Sequence, residues 1–177
     1  NAAASRLFEV LDLPAGFSYR IFSVAGEEMD DGLLVPGKHD GMAAFPGPDG
    51  KTILVRNHEL ENTWPQWSAF GPKRERVAKL DAAKFYDFGK GKSPCLGGTT
   101  NILYDTKTGR IEKQFLSLAG TIKNCAGGPT PWGTWLSCEE WVTRASEFEE
   151  HKHGYVFEVP AQVDHMAPVS PVPLTAM

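Results

Sequence analysis

The chain has 177 residues, of which 41% are hydrophobic and 23% charged, and its formal net charge is −4 at pH 7. These values predict one soluble globular domain that is large enough to bury a core. The weak negative charge argues against nucleic acid as a partner, because binding to a phosphate backbone needs a basic surface. Since no apolar run approaches the length of a bilayer span, we expect no membrane partner, and the N-terminal residues do not form an intact signal peptide.

The first predicted elements are a strand and an acidic loop. Eighteen glycines and thirteen prolines favour short strands joined by turns over long helices. Residues 17–22 alternate in polarity and predict a strand with Phe17, Tyr19 and Ile21 facing the interior. Residues 26–32 carry four carboxylates and predict a loop in solvent, although such a loop could also attract a cation.

A hairpin follows, and its second strand ends in polar residues. Residues 42–45 and 52–56 flank a turn rich in proline and glycine, which predicts an antiparallel pair. The second strand leads into an Asn-His-Glu run at 57–59, a position where sites at the mouth of a sheet are often built. The alternative is that this run caps a turn, because asparagine commonly hydrogen-bonds local backbone.

The middle of the chain combines an irregular segment with a second hairpin. Residues 61–94 have no periodic pattern, and we interpret them as an insertion that shapes a pocket mouth or an interface. Residues 97–104 and 110–118 predict a hairpin, in which Gly109 supplies the left-handed position that such a loop needs.

The stretch from 124 to 140 is the densest in chemical groups. Cys125 precedes a turn of glycines and prolines, and the predicted strand 134–138 ends in Glu139 and Glu140. A hairpin here would bring Cys125 towards one end of that strand, so that one soft and two hard metal ligands could converge. The alternative is that Cys125 is a small buried hydrophobic residue. Adjacent strand residues also face opposite sides, so at most one of the two glutamates would normally face a given site.

The remaining candidate ligands lie in the C-terminal third and among the cysteines. His151 and His153 would lie on one face of a strand and could bind a metal, although exposed histidines near a loop are the commoner arrangement. The chain contains three cysteines, Cys95, Cys125 and Cys138, and an odd number cannot all pair within one chain. At least one thiol is therefore expected to be free.

Several sequence blocks between residues 40 and 159 carry a family resemblance. The longest lies at 124–140 and contains NCAGG, TPWGTW and CEE in succession. The others are DGMAAF at 40–45, NHE at 57–59, GGTTN at 97–101 and HGYVFEV at 153–159. In this order the blocks resemble those of the PhoX-type bacterial alkaline phosphatases. The resemblance covers most of the chain, from residue 30 to residue 160.

The resemblance implies an all-β, β-propeller-like fold of which this chain covers only part. Composition alone would equally allow a sandwich or a barrel. We therefore treat 1–177 as one partial β-propeller domain with an irregular insertion at 61–94. Members of the family are longer than this chain, so we expect a missing C-terminal remainder of the same chain as a partner. A few isolated propeller blades would expose sheet edges and half a core, so we expect this piece alone to be inactive.

The resemblance also implies metal-dependent hydrolysis of phosphate monoesters by an iron/calcium centre, with a small-molecule phosphate ester as substrate. It implies that Cys125 is an iron ligand, that Glu59 and Glu140 are metal ligands, and that Glu139 is either a ligand or a support for one. A thiolate suits iron, and carboxylates suit calcium. We expect Cys138 to lie in the core. The family further implies a periplasmic or secreted protein.

Two other classes of function are compatible with an extracellular propeller. A calcium-dependent hydrolase of esters or lactones would use carboxylates without a thiol, so Cys125→Ser would leave it active. A non-catalytic binding propeller would keep its partner after replacement of Glu59, Cys125 and Glu140. Metal content and the effect of Cys125→Ser separate the three classes.

Overall fold

The computed structural model describes residues 11–146, 149–164 and 168–174. These residues form two four-stranded antiparallel sheets and contain no α-helix. The all-β prediction is confirmed. The sheets of the described residues do not close into a ring, so the propeller stays a prediction. A search of the same residues for a helix long and apolar enough to cross a membrane finds none.

Each sheet is built from strands that follow one another in the chain. The strands of the first sheet, in spatial order, are β1 (His39–Pro46), β2 (Thr52–His58), β3 (Gly97–Asp105) and β4 (Arg110–Thr121). Those of the second sheet are β5 (Asn124–Pro129), β6 (Thr134–Glu139), β7 (Val156–Pro160) and β8 (Pro173–Leu174).

Both predicted hairpins of the first sheet are present. In the first, Ala44 lies opposite Leu54 across β1 and β2. In the second, Asp105 lies opposite Arg110 across β3 and β4. Gly109 has a φ of 68° in the turn of this second hairpin, which confirms the left-handed position expected there. Local turn chemistry therefore predicts both pairings.

The N-terminal segment, residues 17–22, does not form the predicted strand. Phe17 and Ile21, expected to face the interior, are 72% and 55% exposed. The segment contacts the first sheet through side chains instead, and the ring of Phe22 stacks on Tyr104 with 4.7 Å between centroids. A segment with alternating polarity forms a strand only if it can pair with a free sheet edge. This segment lies over the sheet and pairs with no strand.

The acidic loop at 26–32 lies along part of the β4 edge, and Glu27, Glu28 and Asp30 are exposed, as expected of a loop in solvent. The Asp30 carboxylate accepts a hydrogen bond from the backbone N–H of Gln114 at 2.7 Å. The Asp31 carboxylate accepts one from the N–H of Leu116, also at 2.7 Å. Burial raises the pKa of Asp31. The loop is thus bound to the edge strand of the first sheet through two backbone N–H groups of β4.

Residues 61–94 pack against the end of β4 and, together with residues 29–35, form a separate hydrophobic core. They contain only short 3-10 turns, at Pro65–Trp67, Val77–Lys79 and Ala82–Lys84. Phe70 and Phe85 are buried here, with ring centroids 5.2 Å apart. The absence of a periodic sequence pattern therefore does not mean an absence of burial, because irregular backbone can also bring apolar side chains together.

The two sheets pack face to face through a second core. Its buried members are Phe45, Ile53, Val55, Leu103, Phe115, Leu118, Trp135, Phe157, Val159 and Val163. Asn101 on β3 donates hydrogen bonds to the carbonyls of Pro160 and Gln162, at 3.0 and 2.9 Å. Apolar burial thus holds the sheets together, and a buried amide helps to fix how they align.

The hairpin of β5 and β6 brings the two ends of the 124–140 stretch together, as predicted. Asn124 lies opposite Glu139, and Trp135 and Ser137 face the interior as the alternation of β6 requires. A Cβ atom at Gly127 would collide with the Leu136 carbonyl and the Trp135 ring, so only glycine allows this approach.

Candidate metal centre

Three of the four predicted ligands lie at one end of the two sheets. Glu59 directly follows β2, Cys125 is the second residue of β5, and Glu140 directly follows β6. Because β5 runs antiparallel to β6, its start lies beside the end of β6. The packing of β5 against the first sheet brings the end of β2 to the same place.

A lysine joins the carboxylates at this end. The Lys123 amine lies 3.1 Å from the nearer carboxylate oxygen of Glu140, 3.5 Å from that of Glu59 and 3.7 Å from that of Glu61. The hydrogen bond to Glu140, with the charges of Glu59 and Glu61, raises the pKa of Lys123. We call these four residues the Lys123 cluster. It gathers carboxylates from both sheets around one positive charge.

Cys125 is a free, half-buried thiol, two residues after Lys123 in the chain. The Asn57 side-chain amide donates hydrogen bonds to the carbonyls of Cys125 and Ala126, both at 2.9 Å. Gly41 packs against the backbone of Cys125, so closely that a Cβ atom at Gly41 would lie 2.5 Å from the Cys125 carbonyl oxygen. Cys138, expected in the core, is instead half-buried; burial raises its pKa, and the neighbouring Cys125 adds to the rise.

Asn57 is the hub of a buried network that links the two sheets. Its side-chain oxygen accepts hydrogen bonds from the Trp135 indole N–H at 2.9 Å and from the Ser137 hydroxyl at 2.8 Å. Asn124 in turn donates to the Ser137 hydroxyl at 2.8 Å. Asn57 is fully buried, and these partners are far away in the chain, so it does not act as the local cap that we considered as an alternative. Its bonds hold the backbone of Cys125 in place.

His58 is structural. It is fully buried; its Nδ1 lies 3.0 Å from the Gly37 carbonyl oxygen, and its Nε2 lies 2.9 Å from the Thr100 hydroxyl. Burial, reinforced by the charge of Arg56, holds the pKa of His58 well below its ordinary value. A neutral ring that donates to Gly37 and accepts from Thr100 has both nitrogens satisfied. Within the Asn-His-Glu run, only Glu59 belongs to the Lys123 cluster.

Glu139 points away from Glu140, into the interior. Its two carboxylate oxygens accept four hydrogen bonds, from His153 Nδ1 at 2.6 Å and from three backbone N–H groups at 2.7 to 3.1 Å. The opposite directions of the two glutamates follow from the alternation of a strand. Glu140 therefore belongs to the exposed end of the sheets, and Glu139 to a buried network.

That network contains a second group of potential ligands, the His153 cluster of Asp87, Cys95 and His153. One ligand atom from each residue lies within 4.8 Å of the others, and all three residues are buried. Burial alone would lower the pKa of His153, but hydrogen bonds to Asp87, Cys95 and Glu139 raise it to about 11. Sequence reasoning missed Asp87 and Cys95, and the one available signal was the odd number of cysteines.

The predicted histidine pair is divided between two environments. His153 is buried against carboxylates, which differs from the exposed arrangement considered above, whereas the side chain of His151 is exposed. The two histidines therefore do not form a single site, and only His153 belongs to a cluster.

Together, the fold and these groups define an all-β protein with a cluster of carboxylates around Lys123 and a buried Asp-Cys-His group that could hold a metal ion. The family model described as Alkaline phosphatase PhoX matches residues 1–177, the whole chain. The chain belongs to this family, as the sequence resemblance predicts. Comparisons with curated proteins and with solved structures found no match. Family membership supports a phosphatase-type hydrolase that acts on a small-molecule phosphate ester.

Proposed function

We propose that this chain supplies ligands for an iron/calcium centre that hydrolyses phosphate monoesters. The observation that carries the proposal is the convergence of Glu59 and Glu140, from different sheets, on the Lys123 ammonium, two residues before Cys125 in the chain. Carboxylates that gather around an ammonium group can equally gather around metal ions. Membership of the PhoX family supports the reaction.

The chemistry of these donors fits such a centre. Carboxylate oxygens suit calcium, and a thiolate suits iron. The Lys123 ammonium stands where a bound cation would place its charge, and its side chain is 23% exposed, so it can turn outwards when metal binds. We propose Cys125 as an iron ligand and Glu59 and Glu140 as metal ligands. Glu139, whose oxygens already accept four hydrogen bonds, would support the end of β6 that carries Glu140.

The residues of the chain would position the substrate and hold charge around it. Bound metal ions supply Lewis acidity, which polarises phosphoryl oxygens and activates the attacking oxygen. Asn57 holds the Cys125 backbone through two hydrogen bonds, so the thiolate would not need to reorganise during turnover. Once metal has displaced it from the carboxylates, the Lys123 ammonium can donate a hydrogen bond to a phosphoryl oxygen of the substrate.

The family resemblance supports three further proposals about the whole protein. The two face-to-face sheets would be consecutive blades of a β-propeller, since four-stranded antiparallel sheets are the units of such rings. A C-terminal remainder of the chain would complete the ring and the centre. The protein would act in the periplasm or outside the cell.

The test compares two neighbouring thiols in the longest natural form of the protein, purified without chelator. Cys125→Ser should lose iron and lower phosphatase activity by more than about 100-fold, because replacing a supporting residue around a metal already costs about 10- to 100-fold. Cys138→Ser is the matched control, since this thiol is also half-buried but is not a proposed ligand. Its metal content and activity should stay near wild type.

Other outcomes would redirect or overturn the proposal. Calcium alone, with activity unchanged by Cys125→Ser, would favour the ester or lactone hydrolase. No metal in the wild-type protein, or equal effects of the two substitutions, would contradict the proposed centre.

A further inference from the structure

The His153 cluster shares no residue with the Lys123 cluster and connects the 61–94 segment to the approach to β7. Asp87 lies within the 61–94 segment, and Cys95 directly follows it. His153 lies in the connection between β6 and β7. Asp87 and Cys95 are 0% exposed, and His153 is 3% exposed. A histidine, a thiol and a carboxylate that meet in a dry interior form an uncommon set, because buried polar groups are costly unless they are paired or bind metal.

The two separations that involve His153 are close to those of a tetrahedral metal site. His153 Nε2 lies 3.3 Å from Asp87 Oδ2 and 3.8 Å from Cys95 Sγ. Zinc bonds of about 2.0–2.3 Å to nitrogen, oxygen and sulfur place neighbouring ligand atoms about 3.3–3.6 Å apart. The contact between Nε2 and Oδ2 is long for a charged hydrogen bond but is the length expected for two corners of a tetrahedron.

The surroundings of the cluster are those of a metal-bound histidine. Glu139 accepts a hydrogen bond from His153 Nδ1 at 2.6 Å, which leaves Nε2 to face the other two ligands. Metal-bound histidines almost always donate their second ring N–H in this way. The Asp87 carboxylate is likewise oriented, because Oδ2 also accepts from the N–H groups of Glu150 and His151 at 2.8 and 3.0 Å.

Asn62 provides an independent sign that a ligand belongs here. Its side-chain N–H donates to Cys95 Sγ at 3.3 Å; burial, the largest cause, raises the pKa of Cys95 overall, whereas this hydrogen bond lowers that pKa. Its side-chain oxygen is buried and has no hydrogen-bond partner among the described residues. Asn62 also lines a cavity of about 360 Å³ together with Ser93 and Trp141, which offers a path for an ion or a water molecule. A fourth ligand can therefore come from Asn62 or from water.

We propose that Asp87, Cys95 and His153 bind one zinc-class divalent ion, separate from the iron/calcium centre. One thiolate, one imidazole and one carboxylate make a mixed sulfur, nitrogen and oxygen set that suits zinc or cobalt and not calcium. The bound ion joins the 61–94 segment to the β6–β7 connection. This inference does not depend on the phosphatase reaction or on Cys125.

The test uses cobalt as a spectroscopic substitute for zinc in the full-length protein. Cys125→Ser and Cys138→Ser are combined, so that Cys95 is the only cysteine left among these 177 residues. The protein is stripped with chelator and titrated with Co²⁺. We expect tetrahedral d–d bands and a thiolate-to-cobalt charge-transfer band that saturate at one equivalent and disappear on addition of Zn²⁺.

The control adds Cys95→Ser to the same background, which should abolish the charge-transfer band. The proposal is overturned if the background protein, folded by circular dichroism, shows no charge-transfer band, or if the band survives Cys95→Ser. Because the background already lacks Cys125, failure of the iron/calcium centre would change the result of the activity assay above and not the result of this one.

Discussion

Replacement of Asn57 should damage both the stability of the protein and its candidate metal centre. The Asn57 side chain makes four buried hydrogen bonds, two donated to the carbonyls of Cys125 and Ala126 and two accepted from Trp135 and Ser137. Asn57→Ala removes all four at once. The indole N–H and the two carbonyls then lose their side-chain partner inside the interface between the sheets.

The expected loss can be estimated from these four bonds. Each intramolecular hydrogen bond contributes about 0.5–1.5 kcal/mol net, and a buried group left without a partner costs about 1–3 kcal/mol. Because Ser137 keeps its bond to Asn124, we expect Asn57→Ala to lower the free energy of unfolding by about 3–5 kcal/mol. Asn57→Asp should lower the free energy of unfolding at least as much, because its carboxylate would face the two carbonyl oxygens of Cys125 and Ala126.

Asn101→Ala is the matched control, because Asn101 is an equally buried amide that also bridges the sheets. It donates only two hydrogen bonds, to Pro160 and Gln162, so its loss should cost about 1–3 kcal/mol. Urea unfolding of the chelator-treated protein, followed by tryptophan fluorescence, gives both values. Iron content should fall in Asn57→Ala and not in Asn101→Ala. Equal losses of stability, or unchanged iron in Asn57→Ala, would refute the role assigned to Asn57.

Three further predictions follow from particular contacts. Gly127→Ala should lower the free energy of unfolding by about 1–3 kcal/mol, because its methyl group would collide with the Leu136 carbonyl; an unchanged urea midpoint would contradict this. Lys123→Ala should tighten calcium binding in calorimetry, since the ammonium no longer competes for Glu140, and should raise KM for phosphate esters; weaker calcium binding would contradict the proposed displacement of Lys123. In chelator-treated protein, the His153 pKa of about 11, above its ordinary value of 6.5, gives stability that is complete below pH 6.5 and lost as pH rises towards 11. His153→Gln should remove that part of the alkaline loss, and an identical pH profile in the variant would contradict this origin.

The hairpins could be predicted from sequence because their signals are local. Turn residues between alternating stretches specify the β1–β2 and β3–β4 pairings, and Gly109 marks the left-handed position. The strand predicted for the N-terminal segment is wrong because its formation depends on contacts that are not local. Its alternation is real, but the choice between strand and surface segment depends on whether a sheet edge is free, and two N–H groups of the β4 edge are bound by Asp30 and Asp31.

In the candidate site, too, only the features set by local sequence could be predicted. The alternation of β6 indicates that Glu139 and Glu140 diverge. The hairpin indicates that Cys125 lies towards one end of that strand, and the structure shows that it is the end carrying Glu139 and Glu140. The hub role of Asn57 was not predictable, because its partners lie 68 to 80 residues away in the chain. The His153 cluster was missed for a similar reason, since two of its members come from a segment without periodicity.

The central claim is that Cys125 binds iron in a centre that it shares with Glu59 and Glu140. X-ray absorption at the iron edge of the full-length protein tests it most directly, because sulfur is distinguishable from oxygen and nitrogen in the first coordination shell. The account predicts one sulfur neighbour in the wild-type protein and in Cys138→Ser, and none in any iron left in Cys125→Ser. An iron shell of oxygen and nitrogen alone in the wild-type protein, or a sulfur neighbour that survives Cys125→Ser, would contradict it.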